Sequence, residues 1–264
     1  MDTIHTNAFY NAVAADYHLF FRDWWATVER EAVYLDKLLS PHGVRTVLDA
    51  SCGPGTQSIA LAGKGYAVTA ADPSAALLDR ARANAQQAGV EVTLLHASFL
   101  DLPAHVDGPF DALITTGNSF AHLLDDAEIA QALANFHGLL APDGVLLVGI
   151  RDFDAILETR PRFLPGQIHE QGDERVIGFD IWDYNDGPPP TITFNKFFVR
   201  GDGEAWAVTH APVVYRALRE AELRAFLERA GFVDTERADH WWEMLLVSRR
   251  GKAKGGGKNV RRRS

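Results

Sequence analysis

The chain has 264 residues, a mass of 29.1 kDa and a formal net charge of −9, and 47% of its residues are apolar. This composition indicates a soluble globular protein with one large domain, or one domain that carries an insertion. A single cysteine, Cys52, excludes an intrachain disulfide and a cysteine-rich metal site, and no metal site is predicted. Neither a signal-peptide pattern nor a run of about 18 apolar residues occurs, so we expect a cytoplasmic protein without a membrane anchor.

The charge is unevenly distributed along the chain. Eight of the 26 Lys and Arg residues follow Ser248, where no acidic residue occurs, so residues 1–248 carry a net charge of −17. This acidic body argues against a nucleic-acid substrate, because phosphate binding needs a basic surface. The end of the chain, residues 251–264, is rich in Gly, Lys and Arg and is predicted to be disordered, with a nucleic-acid- or membrane-binding arm as the alternative.

Helical and extended patterns alternate over the first 153 residues. An amphipathic helical stretch is predicted over residues 8–40. Apolar strands follow over residues 46–51, 66–72, 90–98, 110–118 and 145–153. Helices are predicted between them over residues 56–65, 73–89 and 126–140. The alternation predicts an α/β fold with a parallel, doubly wound sheet and right-handed crossovers.

The pattern changes after Asp154. Residues 166–215 contain period-two stretches separated by turn clusters, which predicts antiparallel strands. An amphipathic helix over 221–232 and a last strand over 243–250 follow. We therefore divide the chain into a helical cap (1–42), a core (43–153), an antiparallel β insertion that covers the acceptor (154–216), the final helix and strands of the core (217–250) and a basic tail (251–264).

A glycine-rich turn, DASCGPG over residues 49–55, follows the first predicted strand and opens a helix. Glycines permit a close approach of the backbone to a ligand. The dinucleotide-binding fingerprint is incomplete, because Ser58 replaces its third glycine, and the turn lacks a phosphate-binding lysine. Asp49 suits an ammonium group instead, and Asp72 at the end of the second strand suits two ribose hydroxyls. A cationic amino acid joined to a nucleoside, as in S-adenosylmethionine, meets both requirements.

The chain resembles the class I S-adenosylmethionine-dependent methyltransferases over about residues 45–153. The resemblance rests on VLDASCGPG, the strand end at Asp72, HASFLDLP, FDALITTGNSFAHL and LLAPDGVLLVGIRD. It implies a mostly parallel, seven-stranded Rossmann-like sheet with helices on both faces, and S-adenosylmethionine as the cofactor. The cofactor-binding residues that it implies are Tyr17, Arg30, Asp49, Gly53, Gly55, Asp72, Pro73, Ser98, Phe99 and Thr116.

A narrower resemblance, to the glycine and sarcosine N-methyltransferases, rests on TGNSFAHL followed by IRDFDAIL. In that group the Asn faces the acceptor and the Arg binds the acceptor's carboxylate, which implies these roles for Asn118 and Arg151. An internal ion pair of Arg151 with Asp152, Asp154 or another acid is the alternative. Arg30, four residues before Tyr34, matches an arginine that reaches the methionine carboxylate, with a solvated helix arginine as the alternative.

Several side chains near these motifs are further candidates. The segment YNAVAADYHLFFRDW resembles the N-terminal cap of small-molecule methyltransferases, which implies that Tyr10 and Tyr17 cover the sulfonium, with plain core aromatic residues as the alternative. Asn118 and Tyr17 are the candidate catalytic residues. His122 is a candidate for substrate binding or for a general base, with a hydrogen-bonded structural histidine as the alternative. Candidate aromatic residues of the acceptor pocket, which otherwise serve packing, are Trp182, Tyr184, Phe194, Trp206 and Tyr215.

These features predict methyl transfer to a small molecule, namely the amine of an amino acid such as glycine or sarcosine, by in-line displacement. Burial beside a sulfonium lowers the pKa of the amine, so no strong general base is required. An O-methyltransferase acting on a phenolic or polyketide-like compound is the alternative within this class. A nicotinamide oxidoreductase and a non-catalytic cofactor-binding protein are the alternatives outside it. No nucleic-acid or membrane partner is expected, and a homo-oligomer is possible but not readable from the sequence.

Overall fold

The computed structural model describes residues 3–251. Five strands lie parallel in its main sheet: β1 (Thr46–Asp49), β2 (Ala67–Asp72), β3 (Thr93–His96), β4 (Phe110–Thr115) and β5 (Leu140–Ile150). Strands β10 (Phe232–Ala238) and β11 (Met244–Arg250) complete it, and β11 is antiparallel to both β5 and β10. The strand order is β10-β11-β5-β4-β1-β2-β3, which confirms the predicted seven-stranded, mostly parallel sheet.

Helices cover both faces of this sheet, as predicted, because successive strand residues point to opposite sides. On one face, Val47 and Ile114 pack with apolar residues of α2 (Trp24–Leu39), α3 (Thr56–Gly63) and α4 (Ala75–Ala88). On the other face, Leu48 and Leu113 pack with α5 (Asp126–Leu139) and α7 (Glu220–Arg229). Within residues 3–251, no helix is long and apolar enough to cross a bilayer.

The N-terminal segment differs from the single helical stretch predicted over residues 8–40. It folds as α1 (Thr3–Val13), a 3₁₀ helix (Ala14–Phe20) and α2. Asp23 lies in an extended conformation, and its side chain accepts a hydrogen bond of 3.0 Å from the Ala26 N–H. Asp23 therefore caps a new helix and interrupts the amphipathic pattern at this point.

A second, antiparallel sheet corresponds to the predicted insertion. After α6 (Phe153–Thr159) the chain forms β6 (Phe163–Gln171), β7 (Glu174–Asn185), β8 (Thr191–Gly201) and β9 (Trp206–Arg216), paired in that order. Its inner face contributes Trp182, Phe194 and Tyr215 to the core that also contains α5 and α7. The antiparallel strands are thus confirmed. The predicted basic tail lies, apart from Gly251, outside the described residues.

Several predicted strands are shorter in the structure. β1 ends at Asp49 and β4 at Thr115, so that Ser51 and Asn118 lie in loops rather than in strands. Gly117 and Asn118 adopt positive φ angles of 73° and 71°, which no strand permits, and β4 therefore ends before them. The turn that contains Gly53 begins directly after β1. These loops form the edge at which the candidate site lies.

Candidate active site

A cavity of about 610 Å³ lies at the carboxyl ends of the parallel strands. Open α/β sheets bind ligands at this edge. The N-terminal segment and the second sheet form its other walls. The candidate residues that line it are Tyr10, Tyr17, Arg30, Gly53, Asp72, Pro73, Ser98, Phe99, Thr116, Asn118, His122, Arg151, Phe194 and Tyr215. The structure therefore brings together most of the side chains that the sequence singled out.

The glycine-rich turn brings the backbone close to Tyr17. A Cβ added to Gly53 would lie 3.9 Å from the Tyr17 hydroxyl. Gly55 has a φ of 95°, and a Cβ there would lie 3.0 Å from Cδ1 of Ile59. Gly55 is thus required by the shape of the turn and its packing on α3, and it does not line the cavity.

Asp49 lies beneath the turn rather than on the cavity wall. Its carboxylate accepts hydrogen bonds of 2.6 Å from the Ser58 hydroxyl and 3.3 Å from the Ser51 N–H. Burial raises the pKa of Asp49 to about 7. These contacts hold the turn against α3, whereas the sequence had predicted a direct contact with an ammonium group.

Asp72 faces the cavity with a carboxylate that the backbone holds in place. Its two oxygens accept hydrogen bonds from the N–H groups of Ser74, at 2.8 Å, and Gly53, at 2.9 Å. Burial raises the pKa of Asp72 to about 6, so the carboxylate is mostly ionised at neutral pH. Each carboxylate oxygen can accept a second hydrogen bond. The site thus offers two fixed acceptors to a pair of hydroxyl groups.

Two residues after β3 form a further part of the wall. The backbone N–H and the hydroxyl of Ser98 both donate to Oδ1 of Asp101, at 2.6 and 2.7 Å. The ring of Phe99 packs edge-to-face on Phe136, with centroids 5.5 Å apart. Ser98 therefore fixes the loop, and the ring of Phe99 has a definite orientation at the cavity.

Asn118 and Arg151 lie side by side beyond β4 and β5. The side-chain oxygen of Asn118 accepts a hydrogen bond of 2.9 Å from the backbone N–H of Arg151. This bond orients the amide so that its Nδ2 points elsewhere, and Nδ2 is buried without a hydrogen-bond partner among the described residues. A buried unpaired donor is costly by about 1–3 kcal/mol unless a ligand satisfies it.

Three aromatic rings surround the Arg151 guanidinium, and the buried Glu243 carboxylate acts on it only from beyond ion-pair distance. Its central carbon lies 5.3 Å from the ring centroid of Phe194, 5.4 Å from Trp182 and 5.8 Å from Trp242. The neighbouring acids have other partners, because Asp152 pairs with Arg237 and Asp154 with Arg219. Within residues 3–251 no carboxylate forms an ion pair with Arg151. The internal ion pair considered as the alternative is therefore wrong for both neighbouring acids.

His122 is fully engaged in hydrogen bonds within the protein. The Tyr10 hydroxyl lies 2.8 Å from Nε2, and Nδ1 lies 3.2 Å from the carbonyl oxygen of Val214. Burial lowers the pKa of His122 to about 4, so the ring is neutral at physiological pH. In that state Nδ1 donates to the carbonyl and Nε2 accepts from Tyr10. These contacts favour the structural alternative over a general base.

Sequence reasoning missed the aromatic pair Trp241 and Trp242. Trp242 lies against Arg151, and the Trp241 ring centroid is 4.2 Å from the guanidinium carbon of Arg30. The next residue, Glu243, accepts a hydrogen bond of 3.0 Å from the N–H of Gly117, which precedes Asn118. The pair reaches the cavity because β11 runs antiparallel to β5, and Met244 is therefore opposite Ile150. An antiparallel last strand was the signal that could have revealed it.

A partly buried ion pair also escaped prediction. Nζ of Lys196 lies 2.8 Å from Oδ2 of Asp180, both on the inner face of the second sheet, and each side chain is 15% exposed.

Cys52 is buried, and burial raises the pKa of its thiol. A buried thiol with a raised pKa is a poor nucleophile, because little of it is ionised.

Comparison with known proteins extends these observations. The methyltransferase domain family matches residues 47–144. A glycine/sarcosine N-methyltransferase of Halorhodospira halochloris is 33% identical over 189 residues, which are 68% of this chain and 69% of that protein.

The chain belongs to the S-adenosylmethionine-dependent methyltransferases.

Other members of the family match over shorter segments or only in fold. The glycine/sarcosine N-methyltransferase of Parasynechococcus marenigrum is 38% identical over 136 residues, or 52% of this chain and 48% of that protein. The chain thus spans about half the length of the Parasynechococcus relative. An amino pentose methyltransferase from Micromonospora echinaspora has the same fold, with a TM-score of 0.72 at 18% identity, covering 90% of this chain and 96% of the other.

S-adenosylmethionine is the cofactor of this methyltransferase, and the chemistry of the cavity fits it. Asp72 supplies fixed hydrogen-bond acceptors for hydroxyl groups. No lysine or arginine occurs over residues 46–63, which include the turn, so the turn suits a cationic ligand better than a pyrophosphate. Tyr17 lies over this turn.

Proposed function

We propose that this methyltransferase methylates the amine of a small amino acid such as glycine or sarcosine. The observation that carries the proposal is Arg151, a cation at the cavity without an acid partner among the described residues. The named glycine/sarcosine N-methyltransferases among its relatives support the same substrate class. They do not favour an O-methyltransferase.

The chemistry around Arg151 selects a carboxylate. A guanidinium binds a carboxylate through two parallel hydrogen bonds, and aromatic rings that exclude water strengthen such a contact. The neighbouring Nδ2 of Asn118 is a second donor without a partner in the described part of the chain. Two donors without an acceptor among the described residues match an anionic group. A zwitterionic amino acid carries such a group, its carboxylate, next to its amine.

We assign the cofactor-holding roles on the same grounds. Asp72 holds the two ribose hydroxyls, and Arg30, backed by the Trp241 ring, holds the methionine carboxylate. Phe99 and Ser98 contact the adenine, and Tyr17 lies over the sulfonium. Pro73 and Thr116 complete the wall, while Asp49 and Gly55 act only by shaping the turn.

The chain's own residues orient and desolvate the reactants. When bound, S-adenosylmethionine supplies a methyl group that is already activated for transfer by its sulfonium. Arg151 and Asn118 fix the acceptor's carboxylate and so determine where its amine lies. Burial raises the pKa values of Tyr10 and Tyr17, which remain protonated, and His122 has no free nitrogen. These side chains offer no strong base, so the amine gives its proton to solvent before transfer, and the low polarity of the cavity favours the neutral amine.

The decisive experiment compares an amino acid with its decarboxylated amine, for example glycine with methylamine, in wild type, Arg151→Ala and Arg151→Lys. We expect wild type to prefer the acid strongly. Loss of the charge partner costs about 2–5 kcal/mol, so Arg151→Ala lowers kcat/KM for the acid roughly 30- to several-thousand-fold. Lys recovers only part, because an ammonium group lacks the planar two-pronged geometry.

The control is Arg219→Ala, which removes an arginine that already pairs with Asp154. It should leave the preference for the acid unchanged, and the cofactor dissociation constant should stay constant in all variants. Equal losses on glycine and methylamine in Arg151→Ala would contradict the assignment.

A further inference from the structure

A group of buried titratable side chains lies beside the loop that carries Trp241 and Trp242. Its members are Glu31 of α2 and, from the loop, His240 and Glu243, with exposed side-chain fractions of 3%, 1% and 2%. Nε2 of His240 lies 3.6 Å from Oε1 of Glu31, and Nδ1 lies 3.8 Å from Oε1 of Glu243. Glutamates are almost never buried so completely unless they are paired. We call these three side chains the buried cluster.

The contacts of His240 within the buried cluster are long. Both ring nitrogens are buried, and neither has a hydrogen-bond partner among the described residues. The hydroxyl of Tyr34, whose ring centroid lies 4.8 Å from that of His240, is also buried without a partner in this part of the chain. The imidazole thus separates the two carboxylates but binds neither at hydrogen-bond distance. The short contact of Glu243 lies on its other side.

That contact connects Glu243 to the acceptor side of the cavity through the backbone. Oε2 of Glu243 accepts a hydrogen bond of 3.0 Å from the N–H of Gly117. Gly117 and Asn118 are both left-handed, and we call these two residues the acceptor turn. The N–H of Asn118 donates to the carbonyl oxygen of Gly149 at 3.3 Å, and its side-chain oxygen accepts from the Arg151 N–H. The acceptor turn is therefore attached to Glu243 on one side and to the end of β5 on the other.

Gly149 of β5 leaves the space that the Glu243 carboxylate occupies. A Cβ added to Gly149 would lie 2.5 Å from Oε2, 2.6 Å from Cδ and 2.7 Å from Oε1 of Glu243. The φ angle of Gly149 is not left-handed, so the backbone itself does not require glycine at this position. The close approach of the carboxylate requires it instead. A side chain at position 149 would therefore displace the carboxylate from the N–H of Gly117.

We propose that Glu243 is a positioning residue for the acceptor. Its side chain holds the acceptor turn, and the turn directs Nδ2 of Asn118 toward the acceptor's carboxylate. Glu243 does not line the cavity, so it acts only through the turn. The proposal rests on the proposed function, because it takes Asn118 and Arg151 as the residues that bind this carboxylate.

The positioning contact needs an acceptor oxygen but not a charge. Burial and the nearby Glu31 raise the pKa of Glu243, whereas the Gly117 N–H and Arg151 act against this rise. A carboxyl group retains an oxygen that can accept a hydrogen bond whether it is ionised or protonated. The side chain of glutamine offers the same oxygen, so it should be able to hold the acceptor turn in place of Glu243.

The first test compares Glu243→Ala with Glu243→Gln in the full chain. Ala removes the acceptor of the Gly117 N–H and should raise KM for glycine about tenfold, while the dissociation constant of S-adenosylhomocysteine stays unchanged. Gln should restore KM to within about twofold of wild type, because it retains the acceptor oxygen. A Glu243→Ala variant that loses melting temperature but keeps the wild-type KM for glycine would overturn the proposal.

Glu31→Ala is the matched control. It removes an acid that is as deeply buried and about as close to His240, but that has no hydrogen bond to the acceptor turn among the described residues. It should leave KM for glycine unchanged. An equal rise of KM in Glu31→Ala and Glu243→Ala would mean that the buried cluster acts only on the fold, and it would contradict the positioning role.

A double-variant cycle tests the geometry itself. Gly149→Ala should displace the carboxylate from Gly117 and raise KM for glycine as Glu243→Ala does. In Gly149→Ala/Glu243→Ala there is no carboxylate left to displace, so the double variant should match Glu243→Ala alone. Additive losses would overturn the positioning role. A wild type that does not prefer glycine to methylamine would instead contradict the proposed function, so the two failures can be told apart.

Discussion

Asp49 and Asp72 end neighbouring parallel strands, yet their surroundings give them different tasks. Asp49 accepts from Ser58 and Ser51 beneath the turn, and Asp72 accepts from two backbone N–H groups beside the cavity. Burial raises the pKa of both carboxyl groups. Only Asp72 retains access to a ligand, so the two substitutions should differ in what they change.

Asp72→Asn should weaken cofactor binding. The amide keeps one acceptor oxygen but replaces the other with a donor, which removes a charge-assisted hydrogen bond worth about 1.5–3 kcal/mol. We expect the dissociation constant of S-adenosylhomocysteine, measured by titration calorimetry, to rise about tenfold or more. Asp111→Asn is the control, because Asp111 accepts the N–H groups of Arg45 and Thr46 at the opposite end of β4. An affinity unchanged by Asp72→Asn would exclude the ribose contact.

Asp49→Asn should change the pH dependence of stability. The folded-state pKa of about 7 exceeds the ordinary value of 3.8, so the native state binds more protons and loses stability as pH rises between these values. Asn cannot ionise and lacks this loss. The difference in unfolding free energy, variant minus wild type, should therefore be at least about 1 kcal/mol larger at pH 8 than at pH 4. Parallel urea-melt profiles of the two proteins would contradict this account.

At the scale of elements, the loop between β10 and β11 separates the two halves of the cavity. Trp241 stacks on Arg30, which we assign to the cofactor, and Trp242 lies against Arg151, which we assign to the acceptor. Both rings are about 40% exposed, so their removal spares the core. This arrangement predicts that neighbouring residues affect different ligands.

Trp242→Ala should raise KM for the amino acid several-fold, because water then reaches Arg151 and weakens the carboxylate contact by about 1 kcal/mol. It should leave the dissociation constant of S-adenosylhomocysteine unchanged. Trp241→Ala should give the opposite pattern and serves as its matched control. Steady-state kinetics and calorimetry on the same preparations separate the two effects, and identical effects of both substitutions would refute the division.

The regular elements of the core were predictable because short-range patterns encode them. The alternation of apolar strands and helices predicted the parallel sheet. Ser74 caps the N-terminus of α4, and Gly89, in a left-handed conformation, ends the helix. Long-range contacts were not encoded in this way. The position of Trp242 beside Arg151 and the partners of His122 depend on segments distant in sequence. The break at Asp23 and the place of Asp49 beneath the turn depend instead on nearby residues, Ala26 and Ser58, through hydrogen bonds that the apolar periodicity does not show.

At the scale of the whole molecule, the final basic segment differs in composition from the rest of the chain. Residues 252–264 contain six Lys or Arg residues and a single large apolar residue, Val260. Deletion of these residues should shift the melting temperature by less than about one degree and turnover by less than ~20%, because chain ends of this composition add little packing. Calorimetry and a methyl-transfer assay measure both. A large loss of activity would show that the segment binds a ligand.

Residues from both ends of the described chain form the walls of the cavity, so the order of synthesis determines when the cavity can be completed. Tyr10 and Tyr17 leave the ribosome first, whereas the rings beside Arg30 and Arg151 and the carboxylate that accepts from Gly117 belong to residues 241–243. Domains fold from the N-terminus as they emerge. A nascent chain can therefore assemble the parallel strands early but cannot complete its methylation site until residue 243 has cleared the exit tunnel. Prematurely terminated chains should remain unable to hold both ligands.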